Sequence, residues 1–478
     1  MNSDISIDPI WKGCSSSSSN PLSIQKIIQL LSLGAFELRK VINNNNKVNG
    51  NLENEQQKYL NKWIRNERIL IEFGVIDIQR LTKCVNSFYN LHLKQLLNQN
   101  VDFYFISNFA DKLEDFCLLL NTHSLPLECK PRPTFLQSIR KTQVDEIIYQ
   151  TKAEVTARID IAGGWTDTPP ITYQMGSVLP AVISLSILVN GKRPIRCRCS
   201  RLETHQGIFY SENSHEKQQP ILHFSKAEEI FRNCCLPSEQ GSLLCSILVV
   251  SGFVKEKLCG GERHRLFNFG GPGRGLFIET ESDLPHGSGL GSSSILAGAL
   301  LSSLYKLVGY PQLTEDQLIR QVLRIEQLHT SGGGWQDQLG GCIVGGAKIG
   351  WIEPLGSRKC FWRSVQLGGE LINQFSKRLV LLYTGKTRLA KTLLRQVLLS
   401  WARQEPQILS TVEGLANGAW KAEKMLKEGA GGGGFLYIWL NEENDSFERL
   451  KNFLKDDCWK DMNIWKVELE INKPLLVE

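Results

Sequence analysis

PHGSGLGSSS, spanning Pro285–Ser294, interleaves glycines and serines between two segments of different periodicity. Upstream, Gly275–Glu281 (GLFIETE) alternates enough to predict a strand, while downstream Ile295, Leu296, Ala299, Leu300, Leu304 and Leu307 recur at helical spacing. The glycines therefore sit where a strand gives way to a helix. There the first helical N–H groups lack partners and the macrodipole favours an anion, and residues without a Cβ let the backbone approach phosphate oxygens. A flexible Ser/Gly linker is the competing reading, and the apolar helix that follows at once argues against it. The stretch predicts a phosphate cradle and, with it, an ATP-using enzyme.

Two familiar phosphate loops fit less well. A Walker A loop ends in Gly-Lys-Ser/Thr, whereas Gly291 is followed by Ser292, Ser293 and Ser294, with no lysine for the terminal phosphates. A dinucleotide fingerprint wants a third glycine where Ser292 stands, and an acid closing a strand about 20 residues on. What remains is a loop whose backbone holds phosphates and whose serines offer a hydroxyl to Mg²⁺.

Magnesium prefers hard oxygen ligands, so a carboxylate partner is expected. Thr314 and Gln317 form a capping-box pair that opens a helix running to about Thr330. Glu326 follows Val322 by four residues on its inward face. Eleven residues later Asp337 stands in GGGWQDQLGG, where glycines imply a close backbone approach. A third cluster, ARIDIAGGWTDTPP (Ala157–Pro170), carries Arg158 on a strand and runs through Gly163 and Gly164 into Trp165, Thr166 and Asp167. An aspartate that accepts two hydroxyl hydrogen bonds beside a flat indole suits a polyhydroxylated ligand; a surface turn before two prolines is the plain alternative.

Composition sets the frame for these motifs. The 478 residues suffice for several domains, and 22% charged with 42% hydrophobic residues is ordinary for a soluble globular protein. A formal net charge of +6 gives no case for nucleic acid. The basic run Lys192, Arg193, Arg196, Arg198 and Arg201 alternates with Cys197 and Cys199, which reads as the solvated face of a strand. Thirteen cysteines with no framework or zinc spacing and no signal peptide predict free thiols in a cytoplasmic protein. Ser177–Val189 and Leu243–Val250 fall short of the ~20 residues that span a bilayer, so no membrane association is expected.

Three regions follow along the chain. Residues 1–150 are mostly helical by spacing, with polar tracts around Ser15–Ser19 and Asn43–Glu55, and the prolines at 126, 131 and 133 mark a boundary. From Glu154 the pattern turns to mixed α and β. Helices are expected over Phe224–Cys234, Gly241–Lys257 and Ala390–Lys427, and strands over Cys342–Ile352 and Leu379–Thr384. A second glycine cluster, Gly431–Gly434, precedes the apolar run Phe435–Leu440.

The three clusters, in this order, resemble the superfamily of galactokinase, homoserine kinase, mevalonate kinase and phosphomevalonate kinase. ARIDIAGGWTDTPP looks like its first motif, PHGSGLGSSS its ATP-binding second motif and GAGGGGFLY (Gly429–Tyr437) its third. GGWTDTPP, HTSGGGWQDQLGG (His329–Gly341) and YTGKTRLAK (Tyr383–Lys391) are most similar to the L-fucose kinases, with heptose-phosphate kinases as near relatives. The likeness covers roughly Ala153–Leu440.

The resemblance implies an α+β, two-lobed kinase with a helical N-terminal extension over 1–150, an N-terminal lobe over 151–345 and a C-terminal lobe over 346–478. It implies ATP bound by Pro285, Gly287, Ser288, Gly289, Leu290, Gly291, Ser292 and Ser293, and Mg²⁺ held by Ser293 and Glu326. Asp337 matches the family's proposed base and Arg158 the basic residue near the transferred phosphate. Asp167 matches the acid that binds sugar hydroxyls, with Gly164 and Gly334 beside the substrate; no role is assigned to Thr387 and Arg388. The expected reaction is ATP-dependent phosphorylation of the anomeric hydroxyl of L-fucose, yielding β-L-fucose 1-phosphate for GDP-fucose salvage. The alternatives are a heptose-phosphate or other sugar 1-kinase, or a sugar-binding relative with impaired catalysis. In the L-fucose kinases a larger region precedes the kinase part and further helices precede the third motif. Here Lys427 runs almost directly into Gly429, so about fifty residues, a helical hairpin or two, are expected to be missing and the C-terminal lobe incomplete.

Overall fold

Alternation after Glu154 and helical spacing after Ile295 both find their elements in the structure. This computed structural model describes residues 149–478 other than 204, 215–216, 219, 235, 260–261, 268–274, 286–288, 330–331, 354–358, 384–389, 428–436, 440–447, 449–462 and 473. The helices and polar tracts expected before residue 149 lie outside the described residues, as do His286–Ser288, Thr387, Arg388 and the third motif up to Leu436. The chain divides into two compact units. One comprises Pro131–Lys391 and Thr411–Glu478 and holds all of the candidate site; Thr392–Ser410 belongs to the other.

The strands are β1 (Gln150–Val155), β2 (Ala157–Ala162), β3 (Ala181–Val189), β4 (Ile195–Leu202), β5 (Gly207–Ser214), β6 (Lys217–Gln218), β7 (Leu222–Phe224), β8 (Val254–Cys259), β9 (Glu262–Phe267), β10 (Gly275–Ser282), β11 (Ala347–Ile352), β12 (Cys360–Ser364), β13 (Leu379–Tyr383), β14 (Tyr437–Trp439), β15 (Asn463–Leu469) and β16 (Leu475–Val477). The helices are α1 (Ile171–Gln174), α2 (Ala227–Asn233), α3 (Ser242–Val250), α4 (Ser292–Leu307), α5 (Glu315–His329), α6 (Gln336–Gln338), α7 (Gly369–Arg378), α8 (Ala390–Ala402) and α9 (Pro406–Lys427).

Two sheets organise the site-bearing unit. The first runs β16-β1-β4-β10-β5-β6 with β7 beside β5, and the second β12-β11-β3-β15-β13-β14 with β2 beside β3. Pairing is antiparallel except between β10 and β5. Both sheets draw on chain from either side of residue 345, since β2 and β3 join β11 while β16 returns to β1. Together the strands and helices form the expected α+β fold.

Each sheet has its own core. Ile295, Ala299, Leu300 and Leu304 of α4 are buried with Val155, Cys197, Cys199 and Ile278 of the first sheet. Ile159, Ile183, Leu185, Ile187, Ile349 and Val467 form the core of the second. Each such aliphatic side chain contributes roughly 1.5–3 kcal/mol on burial, which fixes β2 and α4 as rigid mounts for what they carry. Cys197 and Cys199 point into this core as free thiols. The alternating arginines face acids on and just past β10: Arg198 Nη1 lies 3.2 Å from Glu279, and Arg196 donates to both oxygens of Asp283 at 2.8 and 2.6 Å. Arg196 and Arg198 are thus one side of an ion-pair ladder, whereas Arg193 pairs with Glu470 and Arg201 donates to Leu307 O. Among the described residues no helix is long and apolar enough to cross a membrane.

Three element boundaries differ from the sequence expectation, each at a residue with positive φ. The helix expected to reach Lys257 ends at Val250, because Gly252 takes φ +77° and Val254–Cys259 pairs with β9. The strand expected from Cys342 starts only at Ala347, after a π-helical turn over Leu339–Ile343 and Gly346 at φ +67°. The long helix expected over Ala390–Lys427 breaks between Ala402 and Pro406, where Gln404 has φ +58°. The Thr314 capping box forms as expected, with Thr314 N donating to Gln317 Oε1 at 3.0 Å and Gln317 N to Thr314 Oγ1 at 3.3 Å.

Candidate active site

Three pieces of chain converge on the site: β2 with the turn into α1, the N-terminus of α4, and residues 332–346. On β2, Arg158 and Asp160 share one face, as alternate strand residues must, and stand opposite Ser186 and Ser184 of β3. That polar face is covered, leaving Arg158 7% and Asp160 8% exposed. A bulge between Asp160 and Ala162 ends the regular ladder and, as bulges do, redirects the strand. The chain then turns through Gly163 at φ +92° and Trp165 at φ +80°, a conformation rare for a bulky side chain.

The phosphate-cradle expectation places its helix correctly. Gly291 is the N-cap of α4 at φ +71°, Ser292 and Ser293 open the first turn, and Ile295 N donates to Gly291 O at 3.0 Å. Among the described residues no side chain caps this end, whose N–H set favours an anion. Leu290 is buried beside Leu284, Pro285 is half-buried, and Gly289 and Ser293 are exposed.

Asp337, in α6, meets Arg158 across the site: Nε donates to Oδ1 at 2.6 Å and Nη2 lies 2.5 Å from the same oxygen. A Cβ on Gly291 would collide with the Asp337 carboxylate, so the cap of α4 sits directly on the acid. The same device recurs three times. Cβ atoms on Gly164, Gly333 and Gly334 would strike the carboxylates of Asp160, Glu326 and Asp167. Each of these glycines leaves room for one of the protein's own acids.

Asp167 is fully enclosed, and its oxygens accept from Trp165 N at 3.0 Å and Gln336 N at 3.2 Å. It ties the first-motif turn to the residue before Asp337. Trp335 reinforces the tie, buried completely and donating from Nε1 to Thr172 Oγ1 at 3.1 Å. Glu326 is buried on α5 as its spacing predicts, and the hydroxyl that donates to its carboxylate is that of Ser294. Ser293, the serine expected there, stands on the exposed side of the same turn.

Sequence reading passed over two members of this site. Asp160 lay in plain strand alternation, yet its Oδ1 is buried with no hydrogen-bond partner among the described residues. Lys348 carried no motif signal and is wholly buried. Burial, first, pushes three acids up: Asp160 to about 6, Asp167 to about 7 and Glu326 to about 8. The Asp337 charge adds to each shift, and Arg158 opposes it at Asp160 and Asp167. Such crowding of carboxylates around one arginine marks a place built to receive positive charge. The Glu326 carboxylate accepts from the Ser294 hydroxyl and from the Gly333 backbone N–H, and its oxygens are of the hard kind that Mg²⁺ prefers. Among the described residues no three acids, histidines or cysteines form a metal cage.

Residues 257–346 match the family model for the GHMP kinases N terminal domain, a span containing α4, Glu326 and Asp337. That stretch of the chain is similar to the N-terminal domain of this superfamily of kinases. The chain's curated relatives include a bifunctional fucokinase/GDP-fucose pyrophosphorylase of Arabidopsis thaliana, 30% identical over 56% of this chain and 23% of that protein. An L-fucokinase/L-fucose-1-P guanylyltransferase of Bacteroides fragilis is 29% identical over 54% of this chain and 26% of that one. A homoserine kinase of Mycobacterium ulcerans is 35% identical over 20% of this chain and 29% of its own length. The chain thus spans about a quarter of the two fucokinase relatives.

Proposed function

We propose that this chain is an L-fucose kinase, transferring the γ-phosphoryl group of ATP to the anomeric hydroxyl of L-fucose. The observation that carries the reading is the meeting of Gly291, Asp337 and Arg158, which brings an anion-binding helix end, a carboxylate and a guanidinium to one point. Sequence likeness to two fucokinases supports the choice of sugar.

In this mechanism the N–H groups of Gly291–Ser293 and the glycine loop hold the ATP phosphates, and Asp337 accepts the proton of the anomeric hydroxyl. That oxygen bonds to the γ-phosphorus while the bond to the β–γ bridging oxygen breaks, and ADP leaves with the electron pair. Arg158 has two tasks: it orients Asp337 through Oδ1, and its guanidinium offsets charge on the phosphoryl oxygens. Positioning and charge neutralisation account for most of such a transfer. Glu326 and Ser293 would hold Mg²⁺, which when bound neutralises phosphate charge. Asp167 braces the acceptor-side turn against Gln336, on the side of the site assigned to the sugar hydroxyls. The product, β-L-fucose 1-phosphate, would feed GDP-fucose synthesis in the cytoplasm.

The test is a panel assay of the full chain with MgATP and L-fucose, D-arabinose, D-galactose or a heptose phosphate. L-Fucose is expected to give the highest kcat/KM. A lone methyl contact discriminates by only ~1–3 kcal/mol, so D-arabinose should be turned over more slowly but measurably. Preference for the heptose phosphate overturns the sugar assignment, and binding without turnover overturns the kinase reading in favour of a sugar-binding relative.

A further inference from the structure

Lys348 is the one buried lysine of β11 and no part of it reaches solvent. An ammonium removed from water is costly unless its donors are all used, and here they are used in one direction. Nζ lies 2.9 Å from Val344 O, 2.8 Å from Gly346 O, 3.3 Å from Gly340 O and 2.6 Å from Ser186 Oγ. Ser186 Oγ is itself 2.5 Å from Gly340 O and 2.8 Å from Val344 O. All three carbonyls lie in or just beyond the π-helical turn Leu339–Ile343, which continues directly from α6 and Asp337. Burial and the nearby Arg158 charge hold the lysine's pKa well below the ordinary value.

Gly340 links this cluster to the reacting groups. A Cβ there would lie 2.9 Å from Arg158 Cβ and 3.1 Å from Ser184 Oγ, so the turn's backbone rests on the arginine stem. The turn therefore carries Asp337 at its head and presses Arg158 at its middle. Lys348 and Ser186 grip it behind both.

We propose that Lys348 is a positioning residue for phosphoryl transfer, a clamp that fixes the π-helical turn through the carbonyls of Gly340, Val344 and Gly346 and so sets Arg158 against Asp337. The inference deepens the kinase reading and rests on it for its catalytic consequence. The physical claim about the turn does not depend on which sugar is used.

The full chain and its variants Lys348→Met, Lys348→Gln and Ser186→Ala provide the test, through kcat, KM, thermal melting and amide hydrogen exchange. Lys348→Met is expected to lower kcat by about 10–100-fold, since displacing reacting groups by about 1 Å can cost 10²-fold, with little change in either KM. Lys348→Gln keeps two N–H donors for the carbonyls and should recover part of the loss. Ser186→Ala should lower kcat in the same direction, and adding it to Lys348→Met should cost less than the two separately. Exchange across Gln336–Val344 should accelerate in Lys348→Met while that of α4 is unchanged. Wild-type kcat in a cooperatively melting Lys348→Met overturns the proposal, as does a loss confined to KM or a glutamine variant no better than methionine. If Lys348→Met does not melt cooperatively, Ser186→Ala decides, and unchanged kcat there also overturns it. Absence of phosphotransfer by the wild-type chain would sink the kinase reading alone, because the exchange measurement still reports the clamp.

Discussion

Arg158 directs both Nε and Nη2 at a single oxygen of Asp337, at 2.6 and 2.5 Å, with both side chains almost wholly buried. A buried pair of this kind stabilises little by itself, but removing one partner leaves the other charge uncompensated. The pair thus joins a structural role to the proposed chemical one.

Asp337→Asn separates these roles. The amide oxygen still accepts from Arg158, so the variant should melt cooperatively, at a cost of about 1–3 kcal/mol for the weakened charged hydrogen bond. Turnover should fall by ~10²–10⁴, the usual scale for losing a general base. Turnover close to wild type, measured on protein shown to be folded, would remove Asp337 from the mechanism.

Gly291→Ala tests the contact between the helix cap and the acid. A methyl there meets the Asp337 carboxylate and is held at φ +71°, where an L-residue costs roughly 1–2 kcal/mol. The expected outcome is a lower melting temperature together with weaker ATP binding by calorimetry and reduced kcat. An alanine variant that binds ATP and turns over normally would mean the cap does not lie at the phosphates.

Much of this site was legible because it is written in short, contiguous motifs. Glycines and serines between a strand and an apolar helix announced the α4 N-terminus, and four-residue spacing from Val322 placed Glu326 inside. What could not be read was partnership across the chain. Asp160 and Arg198 both occupy the polar phase of an alternating strand, yet one is buried against Gly164 and the other faces Glu279 near the surface. Lys348 likewise sits in an ordinary strand, and its oxygens come from Ser186 and from the backbone course of residues 340–346. The glycines of GGGWQDQLGG did signal close approach, but the approaching groups are Glu326, on the helix just upstream, and Asp167, which is distant in sequence and near only after folding.

Ser293 and Ser294 should part in their effects. Ser294 is buried and donates to Glu326, so Ser294→Ala removes a donor from an enclosed carboxylate, costing about 1–3 kcal/mol, and should show first as a lower melting temperature. Ser293 faces outward on the same turn. Ser293→Ala should leave the melt unchanged and raise the Mg²⁺ concentration needed for half-maximal turnover. Equal Mg²⁺ dependence in Ser293→Ala and wild type would transfer the hydroxyl ligand elsewhere.

The raised acids also set a pH dependence of stability with a definite sign. Glu326 is pushed up to about 8 and Asp167 to about 7, by burial first and by the Asp337 charge second; in an unfolded chain both titrate near 4. Between about pH 4 and 8 the unfolded chain therefore releases protons that the folded chain keeps. Stability falls as pH rises through that window, because the native state binds the larger number of protons. This is opposite to an acid whose pKa is lowered by an ion pair. The ligand-free protein should accordingly melt at a higher temperature near about pH 5.5 than near about pH 8.5, and Glu326→Gln, which has no proton to hold, should flatten the upper part of the curve. Adding MgATP at the higher pH should restore much of the difference, since a cation beside the carboxylate favours its ionised form. A melting series across this range, with and without MgATP, checks all three outcomes; identical pH curves for wild type and Glu326→Gln would show that Glu326 does not retain its proton on folding.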